Sequence, residues 1–509
     1  MSAFRTVLRN VASNWAGFLV NAAIALQLTP YVERHLGESQ WGFWSLLIAF
    51  TGYYGLLDLG IRSAVAQYVT RYWARKDLAG VLRTKNTAFG ILLAIAAGIV
   101  PVTIGMAWVA PWIFTIDGVD DSSVRLLFAI VGCFVALNLP LTIFQTATYA
   151  RQRFDIANGV GIVQRLGAAA LTVWALDAGH GLVTLCFIHL GANLVGNLVY
   201  FLLSFRLLPG LELSRRHWSR DSVKELFGFS VWNVLINAAD QVQVHGSALV
   251  ITIILDSTAL AHFNMGAILL PYALQLVNSI AWTLTPQAMT LDAKGEGQGL
   301  QRLYLDGTRA IFAFASILCA GMVLLGDDFL RLWARPIYTD GANYISSSTI
   351  LAMLCGGLLL RSAATCGKQV CFGLREVRFL ARVTFAEAVI NLGLTAFLVW
   401  HFGILGGAIA NVCAVALTQL WMLPQYLVRR IGVSWLSIPR TLFAGILVLL
   451  AMPALRMLVF PAGVSKSWLE LVLRGAVLGI FGLSIGLLCG TTRAEKAKIL
   501  GRFRRAPAG

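Results

Sequence analysis

The sequence predicts an all-α integral membrane protein with fourteen transmembrane helices: two six-helix lobes in pseudo-two-fold relation, then two C-terminal helices. Three observations predict it. The chain of 509 residues is 58% hydrophobic and 13% charged, with a mean hydropathy of +0.74, whereas soluble domains carry about a quarter charged residues. Apolar runs of about twenty residues recur along the whole length, each long enough at about 1.5 Å per residue to cross a hydrocarbon core of about 30 Å. Lysine and arginine gather on alternate connections between those runs.

The spans are expected at 11–33, 41–70, 86–110, 124–149, 158–177, 182–205, 227–254, 259–289, 308–326, 345–366, 379–400, 405–427, 441–458 and 469–490. The first is entered directly from MSAFRTVLRN, where Arg5 and Arg9 precede the apolar run without a short apolar core and small-residue cleavage site. That pattern reads as a retained helix with a cytoplasmic N-terminus. With both termini cytoplasmic, the tails and even-numbered connections hold 30 of the 40 Lys and Arg, and the odd-numbered connections hold 7. This is the positive-inside asymmetry of a multi-pass membrane protein. It also accounts for the net charge of +16 without a nucleic-acid partner. The outer connections are short and partly acidic, as in DGVDDSS (117–123) and GDDF (326–329). None is long enough to fold alone, so function is expected among the helices. The eight cysteines are scattered, without metal-ligand or redox spacing, and read as small core residues.

A shift of 219 residues lays the first two spans over the seventh and eighth. Asn14 then falls on Asn233, Asn21 on Asp240, and LGESQWGFW (36–44) on LDSTALAHF (255–263). Six spans, six more in the same orientation and an added pair define an N-lobe over 1–205, a C-lobe over 206–427, and a final segment over 428–509 with helices 13 and 14 and a basic tail. Parallel repeats of this kind occur in secondary transporters, whose site lies between lobes near the midplane.

Intramembrane charge is costly, so a charged residue in a span usually faces a cavity or a partner. Arg62 lies nine residues before Arg71, roughly 13 Å deep by helical rise. Asp58, four residues earlier, is expected on the same helical face, where it either neutralises Arg62 structurally or holds its charge in check while an anion cavity is empty. Arg165 and Arg361 lie inside spans five and ten with no acidic residue three or four positions away. Each needs a more distant partner or water. Arginine suits a phosphate, because its planar fork donates two parallel hydrogen bonds and remains protonated. A second constellation joins Asp240 and Gln243 in span seven, Glu387 and Asn391 in span eleven, and Asn411 in span twelve. Carboxylates with amide oxygens suit a small cation, and an embedded carboxylate can also carry a proton; interhelical hydrogen bonding is the structural alternative. No cofactor or metal is expected beyond a coupling H+ or Na+.

The segments RNVASNWAGFLVNAAIALQLTPYVERHLG (9–37) and WGFWSLLIAFTGYYGLLDLGIRSAVAQYVTRYWARKD (41–77), together with the span count, resemble the polysaccharide flippase family. These are Wzx-type lipid-linked oligosaccharide transporters of the multidrug/oligosaccharidyl-lipid/polysaccharide exporter superfamily. The resemblance implies movement of an undecaprenyl-pyrophosphate-linked oligosaccharide between leaflets by alternating access, with no enzymatic step. It implies a cavity lined by helices one, two, seven and eight, where Asn14, Asn21, Gln27, Asp58, Arg62, Asp240, Gln243, Gln275 and Asn278 could contribute. It further implies a monomer in transient contact with a polymerase and a chain-length regulator. Drug-exporting relatives often place an acid in helix one where this chain has Asn21. The competing readings are a cation-coupled multidrug exporter, for which acidic instead of basic cavity residues are expected, and a membrane polysaccharide polymerase or ligase, for which a larger outer loop is expected.

Overall fold

The computed structural model describes residues 2–54, 60–114, 119–151, 153–228, 231–341, 344–460 and 464–490; within these, side chains are described except at 2–14, 16, 52–54, 63, 227–228, 231, 233–234, 244 and 488–490. No strand occurs among the described residues. The chain divides into two compact units, Met1–Ala261 and His262–Gly509.

The first unit contains α1 (Ser2–Leu36), α2 (Glu38–Tyr54), α3 (Ile61–Ala74), α4 (Leu78–Ile113), α5 (Asp121–Leu141), α6 (Thr146–Ala150), α7 (Phe154–Asp177), α8 (Leu182–Leu207), α9 (Arg220–Gly228) and α10 (Val231–Ile254). The division falls inside α11 (Ser257–Ala267). The second unit continues with α12 (Leu270–Ala281), α13 (Leu284–Ala293), α14 (Gly297–Trp333), α15 (Ser347–Gly373), α16 (Val377–Phe402), α17 (Ile404–Thr418), α18 (Met422–Ile431), α19 (Ser437–Val459) and α20 (Trp468–Gly490). Among the described residues ten helices are long and apolar enough to cross a membrane, or eleven if the pair 257–267 and 270–293, bent by 40°, is one span. The expected first, second and seventh spans fall on α1, α2 with α3, and α10, outside that set.

The expected second span is not one continuous helix. α2 ends at Tyr54, and α3 starts after Gly60, whose left-handed backbone (φ 70°) serves as N-cap without a side-chain hydrogen bond. That conformation costs glycine little and a residue with a Cβ much more. A one-turn spacing between positions 58 and 62 therefore cannot be read from an unbroken helix, and Asp58 itself lies outside the described residues.

In the first unit, Ile61, Val65 and Val69 of α3 bury against Val81 and Leu92 of α4, Phe144, and Tyr200 of α8. Lys85 counts as a cytoplasmic loop residue in the sequence, yet its side chain is buried in this packing with Nζ 5.2 Å from the Phe144 ring centre. In the second unit, α14 is the hub: one cluster packs Cys319 against Leu351, Cys355 and Leu358 of α15, and another packs Ile317 and Ala320 against Val448 and Met452 of α19 and Leu478 of α20. The cysteines Cys186, Cys319, Cys355, Cys366 and Cys371 are buried as expected; Cys133 is exposed.

Gly42 of α2 lies close against the start of α11. A Cβ on Gly42 would lie 1.6 Å from the Ser257 carbonyl oxygen and 3.3 Å from the Ala261 amide nitrogen, and Gly42 and Ala261 are the positions that the 219-residue shift pairs. Ser39 Oγ and Ser257 Oγ are 3.1 Å apart at the same crossing.

Candidate functional site

Two of the three intramembrane arginines belong to the first unit. Arg62 stands in the first turn of α3, just past the Gly60 break, and is exposed. The N-terminus of a helix carries partial positive charge, so a guanidinium there adds to a field that favours an anion. Arg165 lies midway along α7 and is also exposed; it forms no ion pair with a carboxylate among the described residues. An exposed, unpaired cation midway along a membrane helix requires water or an anion beside it.

The other expected residues of this unit sit on three helices. Asn21 is half-buried and Gln27 exposed on α1; Asp240 is exposed and Gln243 buried on α10; the side chain of Asn14 lies outside the described residues. On α12 in the second unit, Gln275 is exposed and Asn278 half-buried.

The structure also holds a polar seam that the sequence reading did not single out. His189, Asn193 and Asn197 follow one another at four-residue spacing along one face of α8. Thr172 Oγ1 lies 3.3 Å from His189 Nε2, Gln164 donates to Asn193 at 2.7 Å, and Asn197 donates to Asn138 at 2.8 Å. These bonds tie α8 to α7 and α5, and the four-residue period was the signal that could have found them. Beside the seam, the faces of α7 and α8 form an apolar cleft of about 630 Å³, whose lining includes Gly159, Gly167, Gly191 and Gly196.

In the second unit the structure joins two groups that the sequence keeps apart. Arg361 of α15 finds its distant partner in Glu387 of α16, with Nη2 3.0 Å from Oε1. The Glu387 side chain is 1% exposed and that of Arg361 19%. Gln419, at the C-cap of α17, donates its amide to the other carboxylate oxygen. Oε1 makes no hydrogen bond: the guanidinium is close but not aligned with it. Asn391, one turn beyond Glu387, is buried and accepts from Thr395 at 3.4 Å. Asn411 of α17 packs against α15 at Gly357, where a Cβ would lie 2.6 Å from Asn411 Oδ1. The cluster read from the sequence as a cation site thus holds the chain's own cation at its carboxylate, and Asn411 hydrogen bonds neither Glu387 nor Asn391 among the described residues.

A further buried cluster was not anticipated. Asp328 of α14 accepts from the Ser465 backbone N–H at 3.1 Å and hydroxyl at 2.7 Å, lies 3.4 Å from Arg474 Nη1 of α20, and lies 3.8 Å from Arg456 Nη2 of α19. Arg474 also pairs with Glu470.

The family profile described as "Polysaccharide biosynthesis protein" matches residues 7–289. The chain belongs to that family. It is 22% identical over 434 residues to a Shigella flexneri protein named as an O-antigen transporter, covering 82% of this chain and 96% of that one. Among solved structures it is similar to the lipid II flippase MurJ in an inward closed conformation, with a TM-score of 0.69 at 12% identity over 94% of this chain and 98% of that one. It is also similar to an inward-facing multidrug resistance MATE transporter of the MOP superfamily, with a TM-score of 0.62 at 15% identity over 82% of this chain and 95% of that one. At such identities the likeness to solved structures carries the fold alone, that of a multi-pass helical membrane protein.

Proposed function

We propose that this chain is a flippase that moves an undecaprenyl-pyrophosphate-linked oligosaccharide, an O-antigen or other surface-polysaccharide repeat unit, from the cytoplasmic to the periplasmic leaflet of a bacterial inner membrane. The reading takes fourteen crossings, lobes over 1–205 and 206–427, a final segment over 428–509, and both termini in the cytoplasm. A sugar chain and its phosphates cannot enter hydrocarbon, so the protein supplies a polar path for the headgroup while the prenyl tail stays in lipid. No bond is made or broken, and alternating access between the lobes needs no enzymatic step.

The observation that carries the reading is the pair of exposed arginines, Arg62 and Arg165, in a member of a polysaccharide biosynthesis family. A fixed, always-charged fork at bilayer depth serves a diphosphate better than it serves a hydrocarbon neighbour. Coupling to H+ or Na+ is assigned first to Asp240, an exposed carboxylate on α10. Asn21, Gln27, Gln275 and Asn278 would contact sugar. The protein would act as a monomer, with a polymerase and a chain-length regulator as transient partners.

A cation-coupled multidrug exporter is the second reading, and the fold likeness to the MATE transporter favours it. The two separate on one experiment. In cells lacking the native transporter, Arg165→Ala inserts normally but abolishes surface glycan, and lipid-linked repeat units accumulate on the inner leaflet. Normal surface glycan in Arg62→Ala and Arg165→Ala cells alike would discard the flippase reading; drug resistance conferred by the intact chain would put the exporter in its place.

A further inference from the structure

We propose that the cleft between α7 and α8 is a docking groove for the hydrocarbon chain of a prenyl diphosphate, whose charged end lies at the basic termini of the two helices. The proposal rests on the flippase reading for the identity of that lipid, and on the geometry of the first unit for the groove itself.

The groove is long, narrow and apolar. Its lining runs from Gly159 to Leu171 on α7 and from Phe187 to Val199 on α8, about 18 Å on each helix by helical rise. Gln164 is the one polar side chain in it. That amide is turned away to Asn193 at 2.7 Å and lies over Gly196, where a Cβ would come 2.5 Å from Oε1. Val163, Leu171 and Val195 along the walls are exposed, as suits side chains that meet hydrocarbon. Interhelical glycines usually bring two backbones together. Here Gly159, Gly167 and Gly191 leave a channel instead, since a Cβ on any of them would meet nothing within 4 Å.

Length and charge select the occupant. One leaflet of a hydrocarbon core about 30 Å thick is about 15 Å deep, and phospholipid chains end near that depth. The middle of α7 falls near residue 165, so the groove runs about 9 Å past it. A single long chain fills such a channel; a pair of leaflet-deep chains does not. On α8 the lining positions Val195 and Val199 continue at the same spacing through Leu202 to Arg206, and on α7 Val160 leads back by seven positions to Arg153, the N-cap. Positions at this spacing share a helical face, so both cations stand over the same end of the groove. Arg206 is exposed and has no ion pair among the described residues, while Arg153 holds Asp155 through Nε at 3.0 Å. Beyond Leu171 and Phe187 the connection carries no Lys or Arg, and Asp177 ends α7. The groove is therefore polarised for an amphiphile with its anion at one end only. A chain that leaves lipid for this groove gains no hydrophobic free energy. Preference comes from contact along the channel and from the guanidiniums at its end, which suit phosphate oxygens. A neutral prenyl chain lacks the second, and a two-chain phospholipid lacks the first.

The test uses the full chain purified in detergent and a geranylgeranyl diphosphate that carries a diazirine at the end of its chain, with labelled peptides identified by mass spectrometry. Label is expected near Leu171 and Phe187, competed by unlabelled geranylgeranyl diphosphate and not by phosphatidylglycerol. Gly167→Phe and Gly191→Phe fill the channel without an internal clash, and each should cut labelling about tenfold, the effect of losing about ten carbon contacts. Gly105→Phe, at an exposed and equally open position on α4, should leave labelling unchanged. Arg206→Gln should weaken labelling by the diphosphate about threefold and leave that by the corresponding prenyl alcohol as it was. Label outside α7 and α8, label at the Gly159 end, equal competition by phosphatidylglycerol, or full labelling of both groove variants overturns the proposal. So does a change of oligomeric state in Gly167→Phe or Gly191→Phe, which would give the groove to a second copy of the chain. Should neither variant fold, Gly167→Leu and Gly191→Leu are smaller fills with the same expectation. Labelling that misses the groove while Arg165→Ala cells lose surface glycan strikes the groove and leaves the transport reading standing; groove labelling beside normal surface glycan does the reverse.

Discussion

Two arginine–carboxylate clusters inside the second unit share their chemistry and differ in how many donors hold the carboxylate. Asp328 accepts two bonds from Ser465 and faces two arginines, Arg474 at 7% exposure and Arg456 at 28%. Glu387 faces one arginine without an aligned bond and leaves that arginine 19% exposed. The first joins α14 to α19, to α20 and to the segment before α20; the second joins three helices, α15, α16 and α17. Donor number separates them. Asp328 gathers a backbone N–H, a hydroxyl and two guanidiniums around one carboxylate and so ties several segments together, whereas Glu387 has one guanidinium and one amide.

The largest effect should come from the Asp328 cluster. Asp328→Asn keeps an acceptor for Ser465 but leaves Arg474 buried without that counter-charge, which costs about 3–5 kcal/mol when one member of a buried pair is removed. Thermal unfolding of the purified chain would show it, and proteolysis should reach the α19–α20 region first. Glu387→Gln comes second, at about 2 kcal/mol, because Glu387 is held by fewer donors and its arginine keeps some exposure. Equal losses in the two variants, or a larger one in Glu387→Gln, would erase the distinction drawn from donor number.

The seam on α8 gives a neutral reference for both. Asn197→Leu removes one interhelical amide bond to Asn138, worth about 0.6 kcal/mol inside a membrane bundle. A thermal shift as large as that of Glu387→Gln would mean that the latter reports lost packing and not lost charge.

What could be read from the sequence follows the range of each interaction. Helix positions were legible because apolar length and basic breaks are local properties. The Gly60 break was half-legible: glycine permits a left-handed turn inside YYGLLDLGI, but whether the chain takes it is decided by packing around α3. Arg361 and Glu387 each stand out as intramembrane charges, yet they lie on different helices and meet only once helix rotation and depth are set. Asp328, in GDDF, reads as an outer connection and instead lies buried within α14. The α8 seam was visible as a four-residue period, though amides at that spacing carry little weight without a partner helix in view.

Asp120 supplies the smallest effect and the sharpest control. It accepts from the backbone N–H and the hydroxyl of Ser123, the same donor set that Ser465 gives Asp328, but it caps α5 in the open and has no arginine. Hydrogen bonds from Ser122 and Ser123 hold its carboxyl down at about 2, against an ordinary 3.8. A carboxylate whose folded value is depressed contributes stability that is present above its unfolded value and is lost as pH falls through the folded one. Asp120→Ala should therefore lower thermal stability slightly at neutral pH, with the gap to wild type closing between about pH 4 and about pH 2. Because the serine donors match, the excess of Asp328→Ala over Asp120→Ala measures what burial and the two arginines add. If the two alanine variants lose the same stability, the serine bonds alone would account for both sites and the Asp328 cluster would not be an electrostatic clamp.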